Sequence, residues 1–298
     1  MISMNDDYEL LDSGDGRKLE CFGKYVLARP CSQAMWRPKK SAAEWERADA
    51  SFDREDGNRW HGRGNLPKEW QIETAGIKFK LSGTDFGHLG IFPEQRAQWR
   101  WIRQQVKVRS EGEQRRVSVL NLFAYSGGST MAAALGGAEV CHLDASKGMV
   151  EWARENARLN GLADHPIRWI VDDAHKFMKR EIRRGRKYDA IILDPPTFGR
   201  GAGGEMYKIE RDLKETLGLV KDLLSDTPSF VLFSSHTPGL SQLVAENILG
   251  QLFPTATLES GEMLLEPAAS SDQPNIRTFE HSNIPFSCPS GIYCRAGF

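Results

Sequence analysis

The chain has 298 residues, and its 39 Lys and Arg residues nearly balance its 40 Asp and Glu residues, for a formal net charge of −1. Hydrophobic residues make up 40% and charged residues 27%, which is ordinary for a soluble globular protein and too apolar for a disordered chain. No apolar run approaches the roughly 18 residues that a membrane span needs, and the first residues are not basic. Composition therefore predicts a cytoplasmic protein without a membrane partner, in which nucleic-acid binding depends on a local patch.

The length predicts two domains, because a single hydrophobic core would be stretched over 298 residues. The N-terminal part shows short strand-like segments and a long segment rich in Gly, Asp and Arg at 51–64, which predicts a loop. We therefore predict a β-rich, substrate-recognising domain over residues 1–112 and a catalytic domain over residues 113–298. The predicted N-terminal strands are 18–27, 70–74 and 77–81.

The chain carries five cysteines, an odd number, and none of them forms a C-x-x-C pair. Such a set indicates neither a disulfide framework nor a zinc site. We expect reduced thiols and no bound metal, and we find no signal for an oligomeric state. The cysteines are Cys21, Cys31, Cys141, Cys288 and Cys294.

From residue 117 onward, short apolar segments alternate with amphipathic helical segments. This alternation is typical of an α/β fold in which helices cover a parallel sheet. The predicted strands are 117–123, 139–143, 167–171, 188–193 and 229–233. The predicted helices are 129–135, 147–160, 174–184 and 208–224.

The end of the first predicted strand carries a cofactor-binding signal. Phe123, Ala124, Tyr125 and Ser126 lead into Gly127, and the paired glycines at 127–128 let the backbone turn tightly beside a ligand. The second strand ends 17 residues later in Asp144, Ala145 and Ser146. Doubly wound nucleotide-binding folds place a carboxylate here to accept the ribose hydroxyls, although Asp144 alone could equally be a loop residue or a helix cap.

The third and fourth strands end in further polar motifs. Asp173 and Ala174 follow the third strand, at the height expected for an adenine ring. The fourth strand ends in Asp194, Pro195, Pro196, Thr197 and Phe198. An Asp carboxylate and a proline-fixed carbonyl can hold a planar base that bears N–H groups next to a methyl sulfonium. This motif favours a methyltransferase that uses S-adenosylmethionine over an NAD enzyme.

At this point the chain resembles the bacterial ribosomal RNA methyltransferases that modify large-subunit RNA at cytosine C5 or guanine N7. The resemblance spans residues 87–298 and rests on N-L-F-A-Y-S-G-G at 121–128, H-L-D-A-S at 142–146, D-D-A at 172–174, D-P-P-T-F at 194–198 and G-I-Y-C-R at 291–295. A further match, G-I-F-P-E-Q-R at 90–96, opens the helix that precedes the catalytic sheet in that family. The resemblance implies an RNA substrate and a Rossmann-like sheet of seven strands, the last antiparallel.

Site residues are assigned from the strand ends together with this resemblance. Those that contact S-adenosylmethionine would be Gln95, Arg96, Phe123, Ala124, Tyr125, Ser126, Gly127, Asp144, Ala145, Ser146, Asp173, Ala174 and Asp194. Those that act on the accepting base would be Asp194, Pro195, Pro196 and Phe198. Those that contact the substrate would be Lys208, Arg211, Ser235 and His236.

The base atom that receives the methyl group is predicted from the absence of a cysteine at two positions. Cytosine C5 is a poor nucleophile, and enzymes that methylate it first add a cysteine to C6 of the base. Thr197 and Ser235 stand where the C5 enzymes of the family have that cysteine. We therefore predict methylation of a nitrogen, either guanine N7 or an exocyclic amine, and the D-P-P-T-F form is closest to the guanine-N7 type.

Alternatives remain at this stage. The acceptor can be a protein side-chain nitrogen or a small amine, since the D-P-P geometry suits any planar nitrogen. A non-catalytic RNA-binding module is disfavoured by the intact cofactor motifs. A cluster of basic residues at 176–187 either contacts phosphates or forms a solvated helix face. The glycine-rich segment 199–204 predicts a mobile flap over the substrate.

Overall fold

The computed structural model describes residues 6–54, 57–201, 203–267 and 286–298. The chain divides into two compact units. The first comprises Met1–Arg96 and Met263–Ser290, and the second comprises Ala97–Glu262 and Gly291–Phe298. The domain division at residues 112 and 113 stays a prediction.

The first unit is built from β-structure. Strands β1 to β5 form one sheet in chain order, and β6 and β7 pair as an antiparallel hairpin. A short helix α1, Ala42–Trp45, lies between β3 and β4. The strands are β1 Tyr8–Gly14, β2 Arg17–Phe22, β3 Tyr25–Pro30, β4 Ala50–Asp53, β5 Arg59–His61, β6 Trp70–Thr74 and β7 Ile77–Leu81.

Two expectations for this unit were wrong in detail. The predicted strand 18–27 is two strands, because the chain turns at Gly23, whose φ of 67° lies in the left-handed region. The predicted loop 51–64 contains β4 and β5, which pair antiparallel from Ser51 to Asp53. Phe52 is buried there and its ring lies 5.2 Å from that of Trp60, so apolar packing outweighs the turn-forming residues around it.

The second unit contains the predicted sheet. Its strand order is β10-β9-β8-β11-β14-β16-β15. The strands are β8 Ser118–Leu122, β9 Glu139–Asp144, β10 Ile167–Val171, β11 Ala190–Leu193, β14 Phe230–Ser235, β15 Thr257–Leu265 and β16 Cys288–Gly297. The helices are α2 Arg96–Glu113, α3 Gly128–Leu135, α4 Lys147–Leu159, α5 Ala174–Arg183, α6 Ile209–Leu223 and α7 Gln242–Leu252. Two short strands, β12 Phe198–Arg200 and β13 Met206–Lys208, form a separate hairpin.

The fold class predicted from the sequence is confirmed. Strands β8, β9, β10, β11 and β14 are parallel, and β16 pairs antiparallel with β14 from Phe230 to Ser235. The five predicted strands of this sheet each match an observed strand to within two residues at either end.

The core of the second unit explains why these strands form. Strands β8, β11 and β14 are buried at nearly every position because helices cover both faces of a parallel sheet. Helix α5 shows the complementary pattern, with Phe177 and Met178 buried and Lys179 exposed. Within the described part of the chain, no helix is long and apolar enough to cross a membrane.

Candidate active site

The register of the parallel strands brings the predicted motifs to one edge of the sheet. Leu122 pairs with both Leu143 and Leu193, and Leu193 pairs with Phe233. The residues that follow these strand positions therefore lie at the same level of the sheet. They are Phe123, Asp144, Asp194 and Ser234. Ligands of open α/β sheets bind at this carboxyl edge.

The loop after β8 has a strained backbone. Phe123, Tyr125 and Gly127 adopt positive φ values of 55°, 49° and 91°. Two backbone contacts hold the loop to the end of β9: Ala124 N–H donates to the Leu143 carbonyl at 3.0 Å, and Tyr125 N–H donates to Asp144 at 2.8 Å. Left-handed residues outside glycine are uncommon and often mark ligand loops.

Close packing explains the two glycines. A Cβ atom on Gly128 would lie 2.6 Å from Cζ2 of Trp99, and one on Gly127 would lie 3.0 Å from Cβ of Ala153. Trp99 in α2 is only 4% exposed. The start of α3 is therefore pressed against the indole of Trp99, and a side chain at 128 would move the loop. Sequence reasoning did not assign Trp99 this role.

Asp144 lies at the centre of the candidate cofactor site. Its Oδ2 accepts the N–H of Tyr125 and its Oδ1 accepts the N–H of Ser146, each at 2.8 Å. Burial raises the pKa of this carboxyl above its usual value, while the two N–H groups oppose the shift. Each carboxylate oxygen can accept more than one hydrogen bond, so the group can also accept two ligand hydroxyls. Ser146 caps α4 by accepting the Met149 N–H.

Asp173 and Ala174 open helix α5 at the neighbouring strand end. Asp173 is its N-cap, with Oδ1 accepting the N–H of Lys176 at 2.9 Å, and Ala174 is buried. The other oxygen of Asp173 faces Gly201, since a Cβ atom there would lie 2.8 Å from Oδ2. Helix capping thus uses one oxygen of Asp173, and its contact with a cofactor stays a prediction.

Asp194 lies beside His236. The two side chains are about one-third exposed or less, and Nδ1 of His236 lies 3.5 Å from Oδ1 of Asp194. Pro195 is buried and Pro196 is exposed, so the motif turns from the core to the surface within two residues. The sheet edge thus places an imidazole next to the D-P-P carboxylate. The roles assigned to Asp194 and His236 stay predictions.

The loops after β11 and β14 are joined by side chains. The hydroxyl groups of Thr197 and Thr237 are hydrogen bonded at 2.9 Å. Ser235 is 1% exposed, and its Oγ accepts the Thr237 N–H at 3.1 Å. Ser235 therefore shapes the loop that carries His236. The contribution of Thr237 was not predicted, since it depends on a contact 40 residues away.

The β12–β13 hairpin has two different faces. Phe198 pairs with Lys208, and Arg200 pairs with Met206, so these four residues share one face. Phe198 is 50% exposed. The hairpin occupies part of the segment predicted as a flap, and Gly201 N–H donates to the Glu205 carbonyl at 2.7 Å. An exposed aromatic ring beside two basic residues thus follows D-P-P, with only Thr197 between them.

The opposite face of the hairpin is anchored by Tyr207. Its ring lies 5.3 Å from that of Phe123 and 5.9 Å from that of His175, and its hydroxyl is 3.3 Å from Oγ1 of Thr216. Burial raises the pKa of Tyr207 to about 12, so it stays a neutral phenol. This tyrosine fixes the hairpin to the cofactor loop and was not found from the sequence, which shows no local pattern for it.

Several basic side chains near the candidate substrate residues form ion pairs. The Arg211 guanidinium contacts the Asp212 carboxylate at 2.6 Å, and the same carboxylate accepts the backbone N–H of Lys208 at 2.8 Å. In the basic segment 176–187, four of the cations form ion pairs with acidic residues of the second unit. These pairs are Lys176 with Glu205, Lys179 with Glu215, Arg180 with Asp172 and Arg184 with Glu181.

The two cysteines of the second unit are both buried. Cys141 is 4% exposed and burial raises its pKa to about 11. Cys294 is fully buried and burial raises its pKa to about 12. Both remain protonated thiols at neutral pH. Among the described residues, no group of three or more His, Cys, Asp or Glu side chains is arranged to hold a metal ion.

Gln95 and Arg96 belong to the first unit. Gln95 is buried in a short 3-10 turn, Pro93–Gln95, before α2. The Arg96 guanidinium pairs with Asp6 at 3.0 Å and lies 4.7 Å from the ring centre of Tyr8. Arg96 thus has partners within its own unit, and the role of both residues toward a cofactor stays a prediction.

A family model described as S-adenosylmethionine-dependent methyltransferase matches residues 47–235, more than half of the chain. The crystal structure of an S-adenosylmethionine-dependent methyltransferase from Agrobacterium tumefaciens is similar, with a TM-score of 0.87 and 35% identity. That likeness covers 98% of this chain and 90% of the other.

Curated relatives carry a more specific name. Ribosomal RNA large subunit methyltransferase K/L of Shewanella frigidimarina is 36% identical over 166 residues, which cover 55% of this chain. The protein of the same name from Syntrophotalea carbinolica is 30% identical over 231 residues, which cover 73% of this chain. The chain spans only 22% and 28% of the length of these two proteins.

Proposed function

The chain belongs to the S-adenosylmethionine-dependent methyltransferases, and on that basis we propose that it transfers a methyl group to a base nitrogen of large-subunit ribosomal RNA. The observation that carries the proposal is the position of D-P-P at the carboxyl edge of the sheet, level with Asp144. One strand end is thereby assigned to the cofactor and another to the accepting base.

The cofactor half of the proposal rests on the loop after β8 and on Asp144. The Asp144 carboxylate would accept the two ribose hydroxyls while it holds the N–H groups of Tyr125 and Ser146. The positive φ of Gly127, 91°, would let the backbone turn tightly beside the ligand before α3 begins. Asp173 and Ala174 would border the adenine ring. S-adenosylmethionine supplies an activated methyl group on sulfur, so positioning provides most of the rate.

The nitrogen acceptor is supported by what lies around Asp194. The carboxylate and the Pro195 carbonyl can both accept N–H groups, which localises the lone pair of an amine or orients a guanine. A proton released from an exocyclic amine can pass to the Asp194–His236 pair, 3.5 Å apart. The C5 route needs a thiolate on C6 of the base, and both cysteines of this unit are buried thiols with raised pKa values.

The RNA substrate is supported by the exposed face of the hairpin. Phe198 can stack on a base, and Arg200 and Lys208 beside it can approach phosphates. A narrow acidic slot would instead suit a cationic protein side chain, and none of the four described residues on this face, Phe198, Arg200, Met206 and Lys208, carries a carboxylate. The K/L name of the relatives agrees with this choice. Such a substrate places the reaction in the cytoplasm.

Transfer from methyl-labelled S-adenosylmethionine to purified ribosomal RNA tests the proposal, with nucleoside digestion to identify the product. We expect label in a nitrogen-methylated base. A small amine or a protein that takes up the label while RNA does not would establish the other acceptor class.

A trapping experiment tests the acceptor atom separately. RNA containing 5-fluorocytosine traps enzymes that bond a thiolate to C6 before the methyl arrives, and we expect no adduct here. A shifted band on a denaturing gel that disappears in Cys141→Ser or Cys294→Ser would overturn the nitrogen assignment.

A further inference from the structure

A pair of thiols lies in the first unit, formed by residues far apart in the sequence. The Sγ atoms of Cys31 and Cys288 are 2.8 Å apart, although 257 positions separate the residues. Cys31 follows β3 and is partly exposed, whereas Cys288 is the first residue of β16 and is fully buried. Both belong to the same compact unit.

The residues on either side of Cys288 are tied to the same unit. The Phe286 carbonyl accepts the Ser13 hydroxyl at 3.4 Å, and the Phe286 ring packs edge-on against Trp36. On the other side, the Ser290 hydroxyl donates to Glu94 at 3.0 Å. Because contacts hold the chain both before and after Cys288, the two sulfur atoms are kept together without a covalent bond.

Cys31 has the surroundings of a reactive thiolate. The hydrogen bond from Cys288 lowers the pKa of Cys31 to about 7, and Lys18 and the backbone N–H groups of Ala34 and Gln33 act in the same direction against burial. The hydrogen bond to Cys31 raises the pKa of Cys288, and burial raises it further. Cys31 is also partly exposed, so an oxidant can reach it, whereas Cys288 is fully buried. We therefore assign Cys31 as the attacking sulfur and Cys288 as the second thiol.

We propose that Cys31 and Cys288 are a peroxide-sensitive dithiol that closes to an intrachain disulfide. The Cys31 thiolate attacks one oxygen of a hydroperoxide, an S–O bond forms, and the O–O bond breaks. The leaving oxygen takes a proton and departs, as water when the oxidant is hydrogen peroxide. The Cys288 sulfur then attacks the Cys31 sulfenic acid, the S–S bond forms, the S–O bond breaks, and hydroxide leaves with the Cys288 proton as water. The two thiols are oxidised by two electrons and the peroxide is reduced by two.

Such a bond would join the loop after β3 to the beginning of β16, both within the first unit. The disulfide would close a covalent loop between two residues that are 257 positions apart in the sequence. A crosslink over a long loop restricts the unfolded chain, so the oxidised protein should unfold at a higher temperature than the reduced one. The Cys31–Cys288 dithiol does not depend on the proposal that the enzyme methylates a base nitrogen.

The test uses the full chain, reduced and then treated with a small excess of hydrogen peroxide. Free thiols are blocked, and peptides are mapped without reduction. We expect loss of two of the five thiols, a peptide pair linking Cys31 to Cys288, and a rise in the unfolding temperature that dithiothreitol reverses. The wild-type protein alone can refute the proposal. It would do so if Cys31 and Cys288 stayed unlinked after this treatment, or if a disulfide formed with other cysteines.

Variants assign the two roles. In Cys288→Ser the sulfenic acid on Cys31 has no partner, so a dimedone adduct should accumulate at Cys31, whereas Cys31→Ser should give no adduct at Cys288. Cys21→Ser is the matched control, because Cys21 lies in the same unit with a raised pKa and should leave the link intact. Cys31 should react roughly tenfold faster than Cys21, as its larger thiolate fraction requires. Equal reaction rates at Cys31 and Cys21 would contradict the assignment of the attacking sulfur.

Discussion

Replacing Asp144 with Asn tests the cofactor site with the smallest change in shape. The carboxylate has two oxygens, each already bonded to one backbone N–H at 2.8 Å, and it would also accept two ribose hydroxyls. Asn keeps one acceptor oxygen and replaces the other with an NH₂ donor, so at least one charge-assisted bond to a hydroxyl is lost. Such a bond contributes about 1.5–3 kcal/mol. Affinity for S-adenosylmethionine should therefore fall roughly 10- to 150-fold.

A thermodynamic cycle separates direct binding from loop damage, because Asp144 also holds the loop through the Tyr125 N–H. Calorimetry would compare S-adenosylhomocysteine with its 2′-deoxy analogue on the wild-type protein and on Asp144→Asn. If Asp144 accepts the 2′-hydroxyl, its removal weakens binding to the wild type and has little further effect on the variant. Glu151→Gln, which removes an exposed carboxylate from α4, is the control for charge alone.

The same penalty for the deoxy ligand in both proteins would refute the reasoning, because Asp144 would then act only through the loop. The carboxylate must be ionised to accept the hydroxyls, and burial raises its pKa. Affinity should thus be complete above that pKa and fall as the pH drops through it. An affinity independent of pH across the acidic range would also contradict the assignment.

Three further predictions follow from the second unit. Asp194→Asn should slow methyl transfer by about 100-fold or more while cofactor affinity stays within about threefold, and equal losses would mean that Asp194 acts through its predicted cofactor contact rather than on the accepting base. Gly128→Ala should lower the free energy of unfolding by about 1–3 kcal/mol, because its Cβ atom meets Trp99, and Trp99→Phe in the same chain should recover part of the loss. Burial raises the pKa of Glu181, but hydrogen bonds from Arg168 and Tyr188 outweigh it and bring the pKa to about 2. The stability from Glu181 should be complete above about pH 4.5 and lost as the pH falls toward 2, and Glu181→Gln should flatten that part of the stability profile.

The catalytic sheet could be predicted because its signals are local. Strands such as Ala190–Leu193 are short apolar runs between polar loops, and helices covering both faces demand that pattern. Asp144 and Asp194 could be placed from the same runs, since each is the first polar residue at a strand end. Parallel register then brings them to one edge without any further information.

The rest depends on contacts between residues far apart in the chain. Nothing near Trp99 in the sequence indicates that its indole meets Gly128, and nothing near Tyr207 indicates its packing on Phe123. The paired thiols Cys31 and Cys288 are the extreme case, since their proximity follows only from the fold. In the first unit, the predicted strand 18–27 was wrong because the chain turns at Gly23. The predicted loop 51–64 was wrong because the burial of Phe52 outweighs the turn-forming composition around it.

Nucleoside mass spectrometry of ribosomal RNA from cells with and without the gene tests the central claim most directly. We expect one base of the large-subunit RNA to lose a methyl group on nitrogen when the gene is deleted. The mark should return when the wild-type gene is restored, but not when Asp194→Asn is restored. Identical methylation of ribosomal RNA in both strains, together with no transfer to that RNA by the purified protein, would contradict the account.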